Sequence, residues 1–353
     1  MGIFDDALKD NESLFLNPVA LDYEFVPPII KFRESQQQYI ATCIKPLFQD
    51  RSGKNLFIFG SPGIGKTVAT KHVLKEMENE TDEIIPIYIN CWKKDTSYKI
   101  ALNLCEIIGY KWTQNKKTDE LLKEIAKILN KKSVVLVLDE CDQLKDYTAL
   151  YSILEDVYKK SVIMITNEKS WHDKLDSRLK SRLNLDLLQF KPYSLDETRE
   201  ILKHRIEYAF SPEVFNLKAI DLIANKSFEL KDIRTGIYLL KESGDLAESS
   251  SSKKIDFNHV EQALAKLNKF KVRSSIDLTS EENEIFKLIK NNSGKSATDL
   301  YKLYNKDLSY KTFRRRLDDL KNAKLISIEE ATKGVKGKTT IVKDNTIKKI
   351  TDY

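Results

Sequence analysis

Between Gly60 and Thr67 the chain reads Gly-Ser-Pro-Gly-Ile-Gly-Lys-Thr, the GxxxxGK[ST] spacing of a phosphate-binding loop. Its three glycines can take backbone angles closed to other residues, so successive N–H groups can turn inward around a polyphosphate with no Cβ in the way. The helix expected to follow points its positive end at the same phosphates. Lys66 supplies a mobile positive charge for the β- and γ-phosphates, and the Thr67 hydroxyl is placed to ligate a magnesium ion between them. Pro62, Gly63, Ile64, Gly65, Lys66, Thr67 and Val68 are therefore the candidate contacts to a nucleoside triphosphate.

A second set of residues could act on that triphosphate. The run Ser133-Val134-Val135-Leu136-Val137-Leu138 ends in Asp139-Glu140. Asp139 would bind the magnesium shell, and Glu140, one step further, could orient and deprotonate an attacking water. The same acids would also suit an N-cap on the next helix, with Asp142 as a rival candidate. Asn167 follows another apolar run, Ser161 to Thr166. Were that strand to lie between the two motif strands, its amide would stand beside the γ-phosphate; a lone Asn there also suits a turn. In the basic turn Leu175 to Leu183, Arg178 or Arg182 could complete a neighbouring subunit's site, or both could be solvated. Arg234 could reach the nucleotide from a lid, or sit in a surface ion pair.

These side chains need a framework, and the hydrophobic pattern outlines one. Strands are predicted at Asn55 to Phe59, Ile84 to Ile89, Ser133 to Leu138, Ser161 to Thr166 and Leu185 to Phe190. A near-continuous β-branched and leucine run reads as a strand buried on both faces, and open parallel sheets carry their chemistry at the strand ends. Helices are predicted at residues 34–50, Val68 to Glu80, Tyr98 to Gly109 and Thr118 to Leu129, then at Ser194 to Tyr208, Leu217 to Asn225, Asp232 to Ser243 and Phe257 to Lys266. A short amphipathic helix is expected near the N-terminus. It leads into Tyr23-Glu24-Phe25-Val26-Pro27-Pro28, where two prolines force an extended path. That segment could line an adenine pocket or strap the core; its spacing does not decide.

The last stretch differs in kind. Helices at Ser280 to Lys290, Ser296 to Leu303 and Ser309 to Ala323 precede a strand at Leu325 to Ile328, a basic tip at Lys333 to Lys338 and a returning strand at Thr339 to Val342. That order describes a winged helix-turn-helix. Its third helix carries Lys311, Thr312, Arg314, Arg315 and Arg316 beside an apolar stripe of Phe313, Leu317 and Leu320, so it could enter a major groove while Lys336 and Lys338 lie along phosphates. A protein-interaction winged helix with merely solvated lysines is the alternative.

Composition agrees with this division. The net charge is +6, yet Ile276 to Tyr353 holds 17 Lys and Arg against 12 Asp and Glu, leaving +1 for all that precedes it. A basic tail on a near-neutral body is the footprint of polyanion contact. No apolar run reaches the ~20 residues of a membrane span, and Met1 to Asp10 lacks an export signal's basic start, so an intracellular, non-membrane protein is expected. Cys43, Cys91, Cys105 and Cys141 have no metal-ligand spacing and are expected to be packing residues.

Taken in order, the phosphate loop, Leu138-Asp139-Glu140, Asn167, the arginine turn, Asp232-Ile233-Arg234 and the C-terminal winged helix resemble the AAA+ initiator ATPases of the archaeal origin-recognition and cell-division-control family. Val26-Pro27-Pro28 with Phe32-Arg33 is similar to that family's adenine-binding strap, so Val26, Pro27 and Arg33 join the expected nucleotide contacts. The resemblance implies an α/β fold: a parallel-sheet P-loop core with its strap over residues 1–190, an all-helical lid over 191–272 and a winged-helix domain over 273–353. It implies ATP or ADP between core and lid, Mg2+ on Thr67 and Asp139, slow hydrolysis through Glu140 and Asn167, Arg234 as a sensor and Arg178 as the arginine acting in trans. Arg182 departs from the small residue often found at its position. A family insertion that touches DNA corresponds to residues 93–117, where lysines are mixed with acids. The implied partners are double-stranded origin DNA, the replicative helicase and paralogous initiator subunits, in the cytoplasm on the nucleoid. A nucleotide-gated transcriptional or transposition regulator is the alternative function.

Overall fold

The computed structural model describes residues 13–273, 280–304, 308–322, 326–332 and 338–344. The chain divides into two compact units, Met1–Ala263 and Leu264–Tyr353. The first is built on five parallel strands, β1 (Leu56–Phe59), β2 (Ile84–Asn90), β3 (Ser133–Asp139), β4 (Lys160–Thr166) and β5 (Asp186–Gln189), in the spatial order β2-β3-β4-β1-β5. Around them lie α1 (Glu34–Ile44), α2 (Lys66–Glu80), α3 (Ser97–Ile107), α4 (Thr118–Leu129), α5 (Thr148–Asp156), α6 (Ser170–Lys174) and α7 (Ser177–Leu183).

All seven residues of β3 are buried, as a central strand covered on both faces requires. The pleat sorts them. Leu136 and Leu138 join Phe57, Phe59, Val162 and Met164 on the face packed by Leu104, Leu121, Ile125, Ile153 and Leu179. Val135 and Val137 join Ile58, Ile163 and Ile165 on the other face, under Ile40, Ile44, Val73 and Leu74. Each such fully buried side chain contributes about 1.5–3 kcal/mol, so the sheet is a rigid platform for whatever its edge carries.

Register fixes that edge. Phe59 pairs with Thr166 and Asp139 with Ile165, so the C-terminal ends of β1, β3 and β4 are level. Because β4 lies between β3 and β1, Asn167 emerges between the acidic motif and the phosphate loop.

Three local predictions need correction. The helix expected over residues 34–50 stops at Ile44 and continues as a 3-10 turn, Lys45–Gln49, since Pro46 cannot donate the next helical hydrogen bond. The basic turn at Leu175 to Leu183 is largely the helix α7, started by the Asp176 side chain accepting from the Arg178 N–H at 2.6 Å. Helix α5 was not anticipated; it buries Ala149, Leu150 and Ile153. The short helix expected at the N-terminus lies outside the described residues.

Beyond the sheet, α8 (Leu195–Ala209), α9 (Leu217–Leu230) and α10 (Ile233–Ser249) pack together, followed by α11 (Phe257–Arg273). Each of the first three has a side-chain cap: Ser194 in a reciprocal box with Glu197, then Asn216, then Asp232. The N-terminal strap is fastened to them, with the Leu16 and Asn17 N–H groups donating to the Ala209 carbonyl at 2.9 and 3.1 Å.

The second unit contains α12 (Ser280–Asn291), α13 (Ala297–Tyr304), α14 (Tyr310–Asn322) and the antiparallel pair β6 (Ile326–Thr332) and β7 (Lys338–Asp344). Ile285, Leu300, Phe313, Leu317, Leu320 and Val342 form its core. Ser296 makes an isolated antiparallel bridge to Ile341, and the Val342 N–H donates to the Lys295 carbonyl at 3.0 Å, which ties the segment before α13 to β7. Among the described residues no helix is long and apolar enough to cross a membrane. All four cysteines are free and buried.

Candidate functional site

The phosphate loop joins β1 to α2 and is shaped by its glycines. Gly63 and Gly65 hold φ of 70° and 89°, and a Cβ on either would collide with the Asp232 carboxylate or the Tyr193 hydroxyl respectively. Ile64 turns its side chain into the core, its carbonyl accepts from Arg33, and it does not line the cleft. Lys66 is 7% exposed; its ammonium donates to the carbonyls of Gly60 and Ser61 at 2.7 and 2.8 Å and to Asn167 Oδ1 at 2.9 Å. Burial pulls Lys66 down to about 8, against the opposing influence of Asp139.

Thr67 Oγ1 donates to Asp139 Oδ2 at 2.6 Å. Asp139 is buried and takes a second bond at the same oxygen from the Tyr88 hydroxyl at 2.7 Å, while its Oδ1 accepts from the Glu140 N–H at 2.9 Å. A hydroxyl and a carboxylate this close, opening on the cleft, form a hard oxygen donor pair that suits Mg2+ completed by phosphate and water. Among the described residues no cluster of three or more His, Cys, Asp or Glu could hold a metal ion on protein ligands alone.

Glu140 sits in the left-handed region at φ 53°, a strained conformation for a non-glycine residue, and this turns its side chain into the cleft. Burial raises its pKa, with Asp139 adding to the effect and a hydrogen bond from the Asn90 side chain opposing it. Asp142 faces elsewhere: it accepts from Thr166 Oγ1 at 2.7 Å and does not line the cleft. Geometry therefore separates the two acids in favour of Glu140.

The cleft itself has a volume of about 270 Å3 and is lined by Pro62, Gly63, Gly65, Lys66, Thr67 and Val68 of the loop, with Asp139, Glu140, Asn167 and Arg234 around them. Val26 lines it from the strap. A smaller cavity of about 60 Å3 shares Gly65, Val68, Arg205, Ile233 and Ile237 with it and adds Pro27, Ile30, Tyr193 and Tyr208, a flat and apolar lining suited to a base. Arg234 reaches the cleft but turns back, donating to both Asp232 carboxylate oxygens.

Arg33 is placed differently from the expectation of a nucleotide contact. It is 4% exposed, donates to the carbonyls of Ile64, Lys191 and Phe32, and stacks 3.8 Å over the Tyr193 ring. Its charge is spent behind the loop, supporting the loop's shape. Two other residues had no sequence signal. His72 of α2 makes a 2.9 Å bond to the Pro28 carbonyl, pinning the strap. Arg205 is buried at the seam of the two cavities, donates to the Ala20 carbonyl at 2.9 Å and lies over Phe25; burial pushes it down to about 10.

Neither arginine of α7 lines the cleft. Arg182 is paired with Glu155. Arg178 is exposed, and its guanidinium has no ion-pair partner among the described residues.

In the second unit, Lys311 and Arg315 are exposed and Arg314 is half-buried on α14, none with an ion-pair partner among the described residues. Thr312 is occupied at the start of the helix, its N–H donating to Ser309 Oγ at 3.2 Å. Arg316 is committed to Glu281 and Glu282 at 3.1 Å each. Lys338 begins β7, and Lys336 lies outside the described residues.

Comparison with known proteins identifies the family and the fold. Residues 49–170 match the family profile "AAA domain", and residues 199–265 match the "Cdc6 AAA+ ATPase-type lid domain". The chain is 30% identical over 346 residues to ORC1-type DNA replication protein 2 of Archaeoglobus fulgidus, covering 95% of this chain and 92% of that one. It is 28% identical over 356 residues to ORC1-type DNA replication protein 2 of Methanothermobacter thermautotrophicus, covering 96% and 93%. Among solved structures, the Aeropyrum pernix ORC1 protein in complex with DNA has the same fold, with a TM-score of 0.76 at 24% identity over 94% of each chain. The Aeropyrum pernix ORC2 protein in its ADP form follows at 0.65 and 18%, again over 94% of each chain. The fold is thus a parallel-sheet AAA+ core with a Cdc6-type lid, and the chain belongs to the ORC1-type DNA replication protein family.

Proposed function

We propose that this protein is a replication initiator that binds double-stranded origin DNA through its second unit, uses bound ATP or ADP as a switch with slow hydrolysis, and helps load the replicative helicase. The observation that carries the reading is the convergence of Lys66, Thr67, Asp139, Glu140, Asn167 and Arg234 on one cleft, in a chain of the ORC1-type family.

In this reading the base enters the smaller cavity beside Pro27, with Val26 on the adjoining cleft, and the phosphates displace the loop carbonyls as partners of Lys66. Thr67 and Asp139 would hold Mg2+, which when bound neutralises charge on the phosphates. Glu140 takes the proton of the attacking water, and the Asn167 amide positions that water beside the γ-phosphate. Burial raises the Glu140 pKa, which makes it a stronger base for this transfer. Arg178, free of ion-pair partners among the described residues, is the better placed of the two α7 arginines to enter a neighbouring initiator subunit's site.

The second unit is read as a winged helix whose Lys311, Arg314 and Arg315 face duplex DNA, with the Lys336 to Lys338 tip along phosphates. The domain limits remain those of the sequence reading, 1–190, 191–272 and 273–353, and the working location is the cytoplasm, on the nucleoid. Footprinting of the full chain over genomic DNA tests the proposal. Protection at one or a few origin-proximal repeats is expected; protection at many promoters would replace the initiator with a nucleotide-gated transcriptional regulator.

A further inference from the structure

Asp232 does two things at once at the lid's edge of the cleft. As N-cap of α10 it accepts from the Arg234 N–H at 2.9 Å, and both its carboxylate oxygens also take the Arg234 side chain, Nη2 at 2.9 Å and Nε at 3.1 and 3.3 Å. That carboxylate packs directly on Gly63, at a point where the phosphate loop presents no side chain. The next residue ties lid to loop by backbone, the Ile233 N–H donating to the Gly63 carbonyl at 3.1 Å.

We propose that Asp232 is the internal competitor of the nucleotide's terminal phosphate for Arg234, and so sets how strongly the protein distinguishes a triphosphate from a diphosphate. The inference deepens the nucleotide reading above and rests on it. A guanidinium fork matches a carboxylate and a phosphate with the same geometry, so the two anions are exchangeable partners. The pair is open to solvent, with Arg234 49% and Asp232 26% exposed, so the exchange is energetically easy. A diphosphate lacks the terminal group that would draw the arginine away, and Arg234 then stays on Asp232. After Arg234 leaves, Asp232 still caps α10 through the backbone, so the lid helix keeps its start in both states. Asp232 is thus a positioning residue, acting through Arg234 without touching the reacting atoms.

The test is equilibrium binding of the full chain, by calorimetry with Mg2+, to ADP and to a non-hydrolysable ATP analogue. Asp232→Asn keeps the capping acceptor but loses the charged fork, and Asp232→Ser keeps a cap with no fork at all. Both should tighten the analogue about three- to tenfold relative to ADP. In an Arg234→Ala background neither should move the analogue-to-ADP ratio, whereas simple relief of charge repulsion would act there too. An unchanged ratio in both Asp232 variants, with melting temperatures like that of the parent, overturns the proposal while leaving nucleotide binding intact. A shift that persists without Arg234 also overturns it. If the parent chain binds neither nucleotide, the underlying reading falls and this inference with it.

Discussion

Lys66 Nζ lies 2.9 Å from Asn167 Oδ1, so the phosphate-loop lysine and the amide at the tip of β4 are already joined across the sheet edge. The same ammonium bridges two carbonyls of its own loop. In effect the two carbonyls serve Lys66 as the acceptors a phosphate would otherwise supply.

Replacing Lys66 with Ala should therefore abolish turnover and weaken nucleotide binding. The wild-type protein should also show a pH dependence of binding. Burial lowers Lys66 to about 8, so in the free protein its ammonium is lost as pH rises through that value, and nucleotide affinity should fall above it. Stability follows the opposite sign: between that pKa and the ordinary lysine value the unfolded chain carries the extra proton, so this residue's contribution to stability rises with pH. Titration calorimetry from pH 7 to 9.5, with Lys66→Arg as a flat control, checks the first effect. A pH-independent wild type would contradict the lowered Lys66 pKa, and nucleotide binding unchanged in Lys66→Ala would remove Lys66 from phosphate recognition.

Glu140→Gln should leave ATP binding within about twofold of wild type and reduce hydrolysis by a hundredfold or more, the loss expected when a general base becomes an amide of the same shape. Single-turnover hydrolysis measures it. Equal turnover in the Gln variant would hand the base role to another group, and Asp142→Asn should have little effect because Asp142 is turned toward Thr166.

If Arg178 acts in trans, Arg178→Ala should lose hydrolysis yet keep nucleotide binding, and mixing it with Glu140→Gln should restore some turnover in mixed assemblies. Arg182→Ala should cost only its exposed pair with Glu155, about 0–1 kcal/mol in thermal stability. Hydrolysis lost in the Arg182 variant alone would reverse the assignment.

Arg314→Ala combined with Arg315→Ala should weaken duplex binding about tenfold or more and make its salt dependence shallower by roughly two counterions, with nucleotide binding untouched. Arg316→Ala belongs to a different class. Arg316 holds Glu281 and Glu282, so its loss should lower the melting temperature before it changes DNA contact. Fluorescence anisotropy at several salt concentrations separates the two.

Much of the framework was legible because the central strands β1, β3 and β4 are buried on both faces: Val134 to Leu138 has no polar alternation to confuse it. The loop, Asp139, Glu140 and Asn167 were legible because their chemistry is set by spacing along strand ends, and the level register of β1, β3 and β4 brings them together. Contacts between distant segments were not. Nothing local marks His72 as the partner of Pro28, Arg205 as the partner of Ala20, or Asp232 as the residue filling the space over Gly63. Arg33 misled for the same reason: it lies beside the strap in sequence, but its side chain passes behind the loop to Ile64 and Lys191.

The central claim is that a nucleotide held between sheet and lid governs how the basic second unit meets duplex DNA. Anisotropy of a labelled origin-proximal duplex, titrated with the full chain at low ionic strength with ADP, with a non-hydrolysable ATP analogue and with neither, tests it most directly. The account predicts salt-sensitive binding whose affinity differs between the two nucleotides, a difference lost in Lys66→Ala. Duplex affinity identical in all three conditions, or no binding to any duplex, would contradict it.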